Sequence, residues 1–223
     1  MGEEVKIKIA NIFYSIQGEG VNQGVPTTFI RFQGCNLLEP GCVWCDTQYA
    51  RGEGGTLMTV GEILDTLVKL QPKTYQHWVC ITGGEPLFQP NGLHELVKSL
   101  NKYGFRIEVE TNGSLPKPFW WTLVDSWVAD IKCPGSGVCG VSKEEEWFDT
   151  RKQDQVKFVV GSQEDIDYAR SVIMRNMIRN PTVLISPVID KKGRSHMAVD
   201  AVMLCLELKV RFSFQIHKYV GVE

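Results

Sequence analysis

His77-Trp78-Val79-Cys80-Ile81-Thr82-Gly83-Gly84-Glu85-Pro86 is an apolar run that stops on a glycine pair, a carboxylate and a proline. Its length and composition suit a buried strand, and the glycines and proline forbid the strand from continuing. Downstream, Leu93, Leu96, Val97 and Leu100 recur at helical spacing and end at Gly104. Arg106 to Glu110 then reads as another strand, ending in Thr111-Asn112-Gly113. Strand, helix and strand in that order make a parallel unit, because parallel strands need a crossover.

The same alternation extends both ways. Toward the C-terminus, Ser126 to Ile131 is a strand ending in Lys132-Cys133-Pro134, and Gln155 to Val160 is another. Ser162 caps a helix carrying Ile166, Ala169, Ile173 and Met177. Thr182 to Ser186 is a further strand, a last helix spans about Ala198 to Leu208, and Arg211 to Ile216 is the final strand. Toward the N-terminus, Val5, Ile7 and Ile9 lead into Ile12-Phe13-Tyr14 as a short edge strand, followed by a turn, Ser15-Ile16-Gln17-Gly18-Glu19-Gly20. Thr27 to Phe32 is a strand carrying Arg31, a charge that needs a carboxylate partner from protein or ligand. Thr59 and Glu62 form a capping box ahead of Val60, Ile63, Leu64, Leu67 and Val68. The pattern predicts one α/β domain over residues 1–223 with a mostly parallel sheet. An incomplete (β/α) barrel and a doubly wound open sheet both fit it.

Composition is that of a globular chain: 223 residues, 43% hydrophobic and 22% charged. A net charge of −2 offers no basic field for nucleic acid. No apolar run approaches the roughly 20 residues of a membrane span. Met1 to Lys8 lacks the apolar core of a signal peptide, and seven cysteines, an odd number, point to a reducing compartment. The expectation is a soluble, cytoplasmic protein without membrane or direct nucleic-acid partners.

Three of the cysteines share one loop, Gly34-Cys35-Asn36-Leu37-Leu38-Glu39-Pro40-Gly41-Cys42-Val43-Trp44-Cys45-Asp46-Thr47. Thiolates this close repel one another unless a cation lies among them, so a soft metal or an iron–sulfur cluster is the natural occupant. Three ligands leave one iron of a 4Fe–4S cluster open. A zinc site closed by Cys133 or Cys139, a disulfide, or inert core thiols are the other readings. The polar and glycine-rich residues of the chain fall just after strands: this loop, Thr82 to Pro86, Glu110 to Gly113, and Asp130-Ile131-Lys132. In parallel β/α architectures those carboxyl ends form the mouth of the active site.

Together these segments resemble the radical S-adenosylmethionine (radical SAM) superfamily, in which three cysteines bind three irons and SAM chelates the fourth. Thr82-Gly83-Gly84-Glu85-Pro86 resembles its GGEP motif, where a glycine pair allows a ligand to approach the main chain. Phe13 to Gly20, Gly34 to Leu37, Trp44 to Thr47, Glu110 to Gly113 and His217-Lys218-Tyr219 resemble, in order, segments of the 7-carboxy-7-deazaguanine synthase family. That resemblance implies conversion of 6-carboxy-5,6,7,8-tetrahydropterin to 7-carboxy-7-deazaguanine with release of ammonia, in queuosine and deazapurine precursor biosynthesis. It implies a 4Fe–4S cluster on Cys35, Cys42 and Cys45, and Mg²⁺ at Thr47 bridging to the substrate carboxylate. Ile16, Gln17, Gly18, Glu19, Arg31, Thr82, Glu110 and His217 would meet substrate. Gly84, Asp130, Ile131, Lys132 and Ser186-Pro187-Val188-Ile189 would hold SAM. An electron donor such as a flavodoxin or ferredoxin, and a homodimer, are implied by the resemblance alone.

Three features depart from the pattern. The first two cysteines are separated by six residues, where the superfamily commonly has three. The sequence ends in Val220-Gly221-Val222-Glu223, whereas some relatives use their terminal residue to contact substrate, a role not assigned to Glu223. Pro134 to Arg151, beside Cys133 and Cys139, has no assigned counterpart, and those two cysteines are expected to be bystanders. A glycyl-radical activase shares three cysteines and a similar size, but would not be expected to pair the Gln-Gly-Glu-Gly turn with Cys45-Asp46-Thr47. A zinc-stabilised binding module leaves Thr82 to Pro86 and Glu110 to Gly113 without a purpose. His77, His94 and His196 are expected to be structural or exposed, Cys80 and Cys205 core, and Lys191, Lys192 and Arg194 a solvated loop.

Overall fold

The computed structural model describes residues 4–70, 78–177, 179–190 and 192–222. Within them nine strands form one sheet: β1 (Lys6–Ile16), β2 (Pro26–Phe32), β3 (Thr56–Thr59), β4 (Trp78–Gly83), β5 (Arg106–Thr111), β6 (Ser126–Ile131), β7 (Gln155–Val160), β8 (Thr182–Pro187) and β9 (Arg211–Phe212). The helices are α1 (Val60–Leu70), α2 (Pro90–Lys102), α3 (Glu144–Phe148), α4 (Gln163–Arg175), α5 (Ala198–Leu208) and α6 (Ile216–Val220). His77, at the start of the expected strand, lies outside the described residues, as do Lys191 and Glu223.

The sheet order is β3-β1-β2-β4-β5-β6-β7-β8-β9. β2 pairs parallel with β4, and from β4 onward each strand pairs parallel to the next in sequence. A doubly wound sheet reverses its strand order at a switch point, and here no reversal occurs after β2. Successive right-handed crossovers then put the helices on one side. The sheet is an unclosed, incomplete (β/α) barrel.

Alternation along the parallel strands divides the sheet into two faces. Ile30, Ile81, Ile107, Val109, Trp127, Ala129, Ile131, Val156, Phe158 and Val160 belong to one buried core with the helices. Their neighbours Phe29, Arg31, Thr82, Glu110, Val128, Asp130, Lys157 and Val159 line a cavity on the concave side. Leu93, Leu96, Val97 and Leu100 of α2 and Ile166, Ala169 and Ile173 of α4 join the core at the spacing their sequences show. Met177 falls after the end of α4 and is exposed.

Three expectations need correction. β1 is an 11-residue strand and not an edge: β3 pairs antiparallel outside it, from Lys6 opposite Thr59 to Ile9 opposite Thr56. Thr56 to Thr59 is short and contains two exposed residues, so it lacks the apolar alternation that marks a strand. The capping box at its end forms as expected, with Thr59 N donating to Glu62 Oε2 at 2.8 Å and Glu62 N to Thr59 Oγ1 at 3.2 Å. Arg211 to Ile216 does not continue as a strand. β9 pairs with β8 over two residues, after which the chain turns and Ile216 N donates to Gly18 O at 3.1 Å, opening α6.

Candidate active site

The cavity encloses about 680 Å³ at the carboxyl ends of the parallel strands. Cys35, Cys42 and Cys45 enter it as free, half-buried thiols. Burial pushes the Cys35 and Cys42 thiols up from their ordinary value, so binding a metal must displace their protons. Ligand atoms that could converge on one ion occur, among the described residues, at Cys80, Glu108 and Glu110, within 4.8 Å of one another; the loop cysteines form no such group. Tetrahedral zinc with bonds of about 2.3 Å needs sulfurs under 4 Å apart. Three free thiols on one loop at the cavity are a ligand set for a soft metal or an iron–sulfur cluster.

The loop is held from both ends. Gly34 N donates to Ala50 O at 2.8 Å, Cys35 N to Arg51 O at 2.9 Å, and Glu85 N to Gly34 O at 2.8 Å. The Arg51 guanidinium donates to Leu38 O inside the enlarged segment. Val43 N donates to Ser136 O at 2.9 Å, so the region after β6, unassigned from sequence, is a support for the cluster loop. Neighbouring backbone crowds the Gly83-Gly84 pair: a Cβ at Gly83 would lie 2.3 Å from Phe32 O in β2, and one at Gly84 would lie 2.1 Å from Gly34 O in the cysteine loop. Both glycines also border the cavity.

Glu85 is fully buried. Its carboxylate accepts from Thr111 Oγ1 at 2.8 Å, Asn112 N at 2.6 Å and Leu87 N at 3.0 Å, although burial still pushes its pKa up. It thereby fixes the Thr111-Asn112-Gly113 turn. Asn112 Nδ2 donates to Asn36 Oδ1 at 2.9 Å, tying that turn to the cysteine loop.

Charge is concentrated on the remaining walls. Arg31 Nη1 donates to Thr47 Oγ1 at 3.2 Å, while its buried Nε has no partner. Thr47 Oγ1 donates to Asp46 Oδ1 at 3.0 Å, and Lys218 Nζ pairs with Asp46 Oδ2 at 2.6 Å. Lys157 pairs with Glu19 at 2.8 Å. Gln215 Nε2 donates to the other Glu19 oxygen at 2.5 Å. Thr82 Oγ1 donates to Glu110 Oε2 at 2.8 Å. Lys132 pairs with Asp130 Oδ2 at 2.7 Å and leaves the buried Asp130 Oδ1 unpartnered. His217 packs on Gly18, where a Cβ would meet its Nδ1 at 1.8 Å. Burial holds the His217 ring below its ordinary pKa, more than Glu19 raises it.

All eight residues expected to meet substrate border this cavity, as do Thr47, Gly84, Asp130, Lys132, Val188 and Ile189. Ile131, Ser186 and Pro187 do not: Ile131 faces the helix-side core, and Ser186 is 1% exposed with an unpartnered hydroxyl. Cys80 and Cys205 are buried. Cys133 is buried and Cys139 exposed, and neither lines the cavity. Of the solvated loop, Arg194 pairs with Asp190 at 3.0 Å. Lys157, Asp46 and Gln215 were missed. Lys157 gave the same signal as Arg31, a charge inside an apolar strand, and Asp46 lay in the Cys45-Asp46-Thr47 motif without a role of its own, whereas Gln215 gave none.

A half-barrel whose strand ends gather three free thiols beside a glycine-rich turn has the architecture of a radical SAM enzyme, and the family model described as Radical SAM superfamily matches residues 29–132. The chain is 39% identical over 97% of its length to the 7-carboxy-7-deazaguanine synthase of Methanospirillum hungatei, of which it covers 86%. It is 33% identical to that of Koribacter versatilis, with 96% of each covered. The chain belongs to the 7-carboxy-7-deazaguanine synthase family. The crystal structure of QueE from Escherichia coli matches with a TM-score of 0.68 over 94% of both chains at 21% identity, a likeness of fold. Membership brings a 4Fe–4S cluster and SAM as cofactors.

Proposed function

We propose that this protein converts 6-carboxy-5,6,7,8-tetrahydropterin to 7-carboxy-7-deazaguanine with release of ammonia, supplying queuosine-type deazapurines. The observation that carries the reading is the unpartnered Nε of Arg31, buried in the cavity that also holds the three loop thiols. A buried guanidinium short of an acceptor fits an incoming carboxylate.

Cys35, Cys42 and Cys45 are the residues that would hold the cluster. Gly84, Asp130, Lys132, Val188 and Ile189 border the space for SAM, and the unpartnered Asp130 Oδ1 offers an acceptor to its amino group. When bound, cluster and SAM supply a hydrogen-abstracting 5′-deoxyadenosyl radical. Thr47 Oγ1, beside Asp46, would offer oxygen to Mg²⁺, with the substrate carboxylate completing the set. Glu19 and Glu110 offer acceptors to the donor edge of the pterin. His217, neutral near pH 7, can take up a proton. The apolar wall of Phe13, Phe29, Val128 and Val159 excludes water around the reacting ring. One sheet over one core supports reading the chain as a single domain. No helix of the described residues is long and apolar enough to cross a membrane. A cytoplasmic homodimer reduced by a flavodoxin or ferredoxin completes the proposal.

The test is anaerobic reconstitution with iron and sulfide, then reaction with dithionite, SAM and 6-carboxytetrahydropterin, with and without Mg²⁺. A Mg²⁺-stimulated product lighter by one ammonia, without net SAM consumption, is expected. 5′-Deoxyadenosine without that product moves the substrate elsewhere. A folded protein that assembles no cluster overturns the reading.

A further inference from the structure

Beneath the cavity lies a carboxylate that the reaction as described does not use. Glu108 is 2% exposed and lies two residues from Glu110 on β5, so both point to the concave side. Glu110 borders the cavity; Glu108 does not. The two oxygens of Glu108 accept from three amides. Gln17 Nε2 donates to Oε1 at 2.5 Å, while Asn22 Nδ2 and Gln155 Nε2 donate to Oε2 at 2.6 and 3.2 Å. Gln17 Nε2 also reaches Glu110 at 3.2 Å.

A carboxylate only accepts, so each amide must turn its nitrogen toward Glu108 and its oxygen away. The outward oxygens then meet main-chain donors of a single loop. Gln17 Oε1 accepts from Glu19 N at 3.2 Å, and Gln155 Oε1 accepts from Val21 N at 2.9 Å. Gln17 itself is 3% exposed, and its backbone is engaged as well, with Val25 O and Gly24 N. It borders the cavity, and its side chain also supports Glu19 and Glu110. Donor hydrogens already face the carboxylates of the Cys80, Glu108 and Glu110 group, which argues against a cation among them.

We propose that Glu108 is a positioning residue for substrate: its acceptor-only carboxylate sets three amide orientations and so holds the loop that presents Gly18 and Glu19. The inference rests on the pterin reading of the site. It assigns Glu108 to pterin affinity and leaves the SAM side, built from β6 and β8, independent of it.

The test uses the cluster-loaded protein at pH 8, above the value of about 7 to which burial pushes Glu108 and so with its carboxylate ionised. It measures binding of 6-carboxypterin, the oxidised and unreactive form of the substrate, alongside SAM. E108Q places an amide nitrogen against the donors on its Oε2 side, and a lost bond to a charged partner predicts pterin affinity about tenfold weaker. N22D, at a half-buried position, sets a carboxylate against Glu108 and also weakens pterin binding. In the E108Q/N22D double variant the polarity of that pair is reversed, Gln155 keeps its 3.0 Å bond to Ser126 Oγ, and pterin affinity returns toward the parent value. SAM affinity and bound iron stay unchanged throughout. Unchanged pterin binding in E108Q, a parallel loss of SAM binding, or no recovery in the double variant would overturn the proposal. Parent protein that binds SAM but not 6-carboxypterin would instead sink the pterin reading.

Discussion

Lys157 and Glu19 form an ion pair on the concave face, each side chain about one-seventh exposed or less. Burial pushes the Glu19 carboxyl up, but Lys157 and Gln215 together hold it below its ordinary value. Burial lowers the Lys157 ammonium, and Glu19 and Asp130 more than reverse this. The carboxylate's contribution is present above its unfolded pKa and lost as pH falls through its depressed folded one. The lysine's contribution is present below its unfolded pKa and lost as pH rises through its raised folded one. Removing one partner strands a buried charge, so K157M should destabilise the protein by about 3–5 kcal/mol, with E19Q/K157M recovering most of it. Thermal melts at pH 7 measure both. The loop thiols should behave differently: C42S and C45S, half-buried and outside the core, should keep their far-ultraviolet circular dichroism while losing bound iron and its brown absorbance.

The enlarged cysteine loop depends on an element whose purpose the sequence did not reveal. The Trp44 ring lies where a Cβ at Gly135 would meet it at 2.9 Å, and where one at Gly161 would meet it at 3.4 Å. Asp165, near the start of α4, accepts from Gly135 N at 2.7 Å and Gly161 N at 2.8 Å, so one carboxylate joins the segments beneath Trp44. G135A should displace Trp44 and lower the iron retained after gel filtration, and D165N, which turns an N–H toward an N–H, should cost about 1–3 kcal/mol in urea unfolding. The parallel strands and α2 were legible because apolar spacing announced them. β3 was not, because pairing with β1 makes it a strand where its own side chains do not. α6 was hidden by Arg211 to Ile216, whose apolar residues suggested a longer strand.

Across the whole molecule, the concave face concentrates buried acid, and pH should expose this. Burial and the neighbouring Glu110 push the Glu108 carboxyl up to about 7. The folded state then holds that proton more tightly than the unfolded chain, so its contribution is fully present below the ordinary carboxylate range and lost as pH rises through about 7. E108Q should flatten this part of the stability profile, measured by urea unfolding between pH 5 and 8 at roughly half-unit steps. By itself the sequence determined the parallel βαβ units, the three-cysteine loop and most of the residues at the strand ends, because apolar period and short motifs are local properties. Only the tertiary structure decided between an incomplete barrel and a doubly wound sheet, since strand order depends on which side each crossover takes. It also decided that Gly84 makes room for the cysteine loop's backbone, and that Gln17 is tied to Glu108. Those roles are set by what packs against a residue from distant parts of the chain, and no local pattern carries that information.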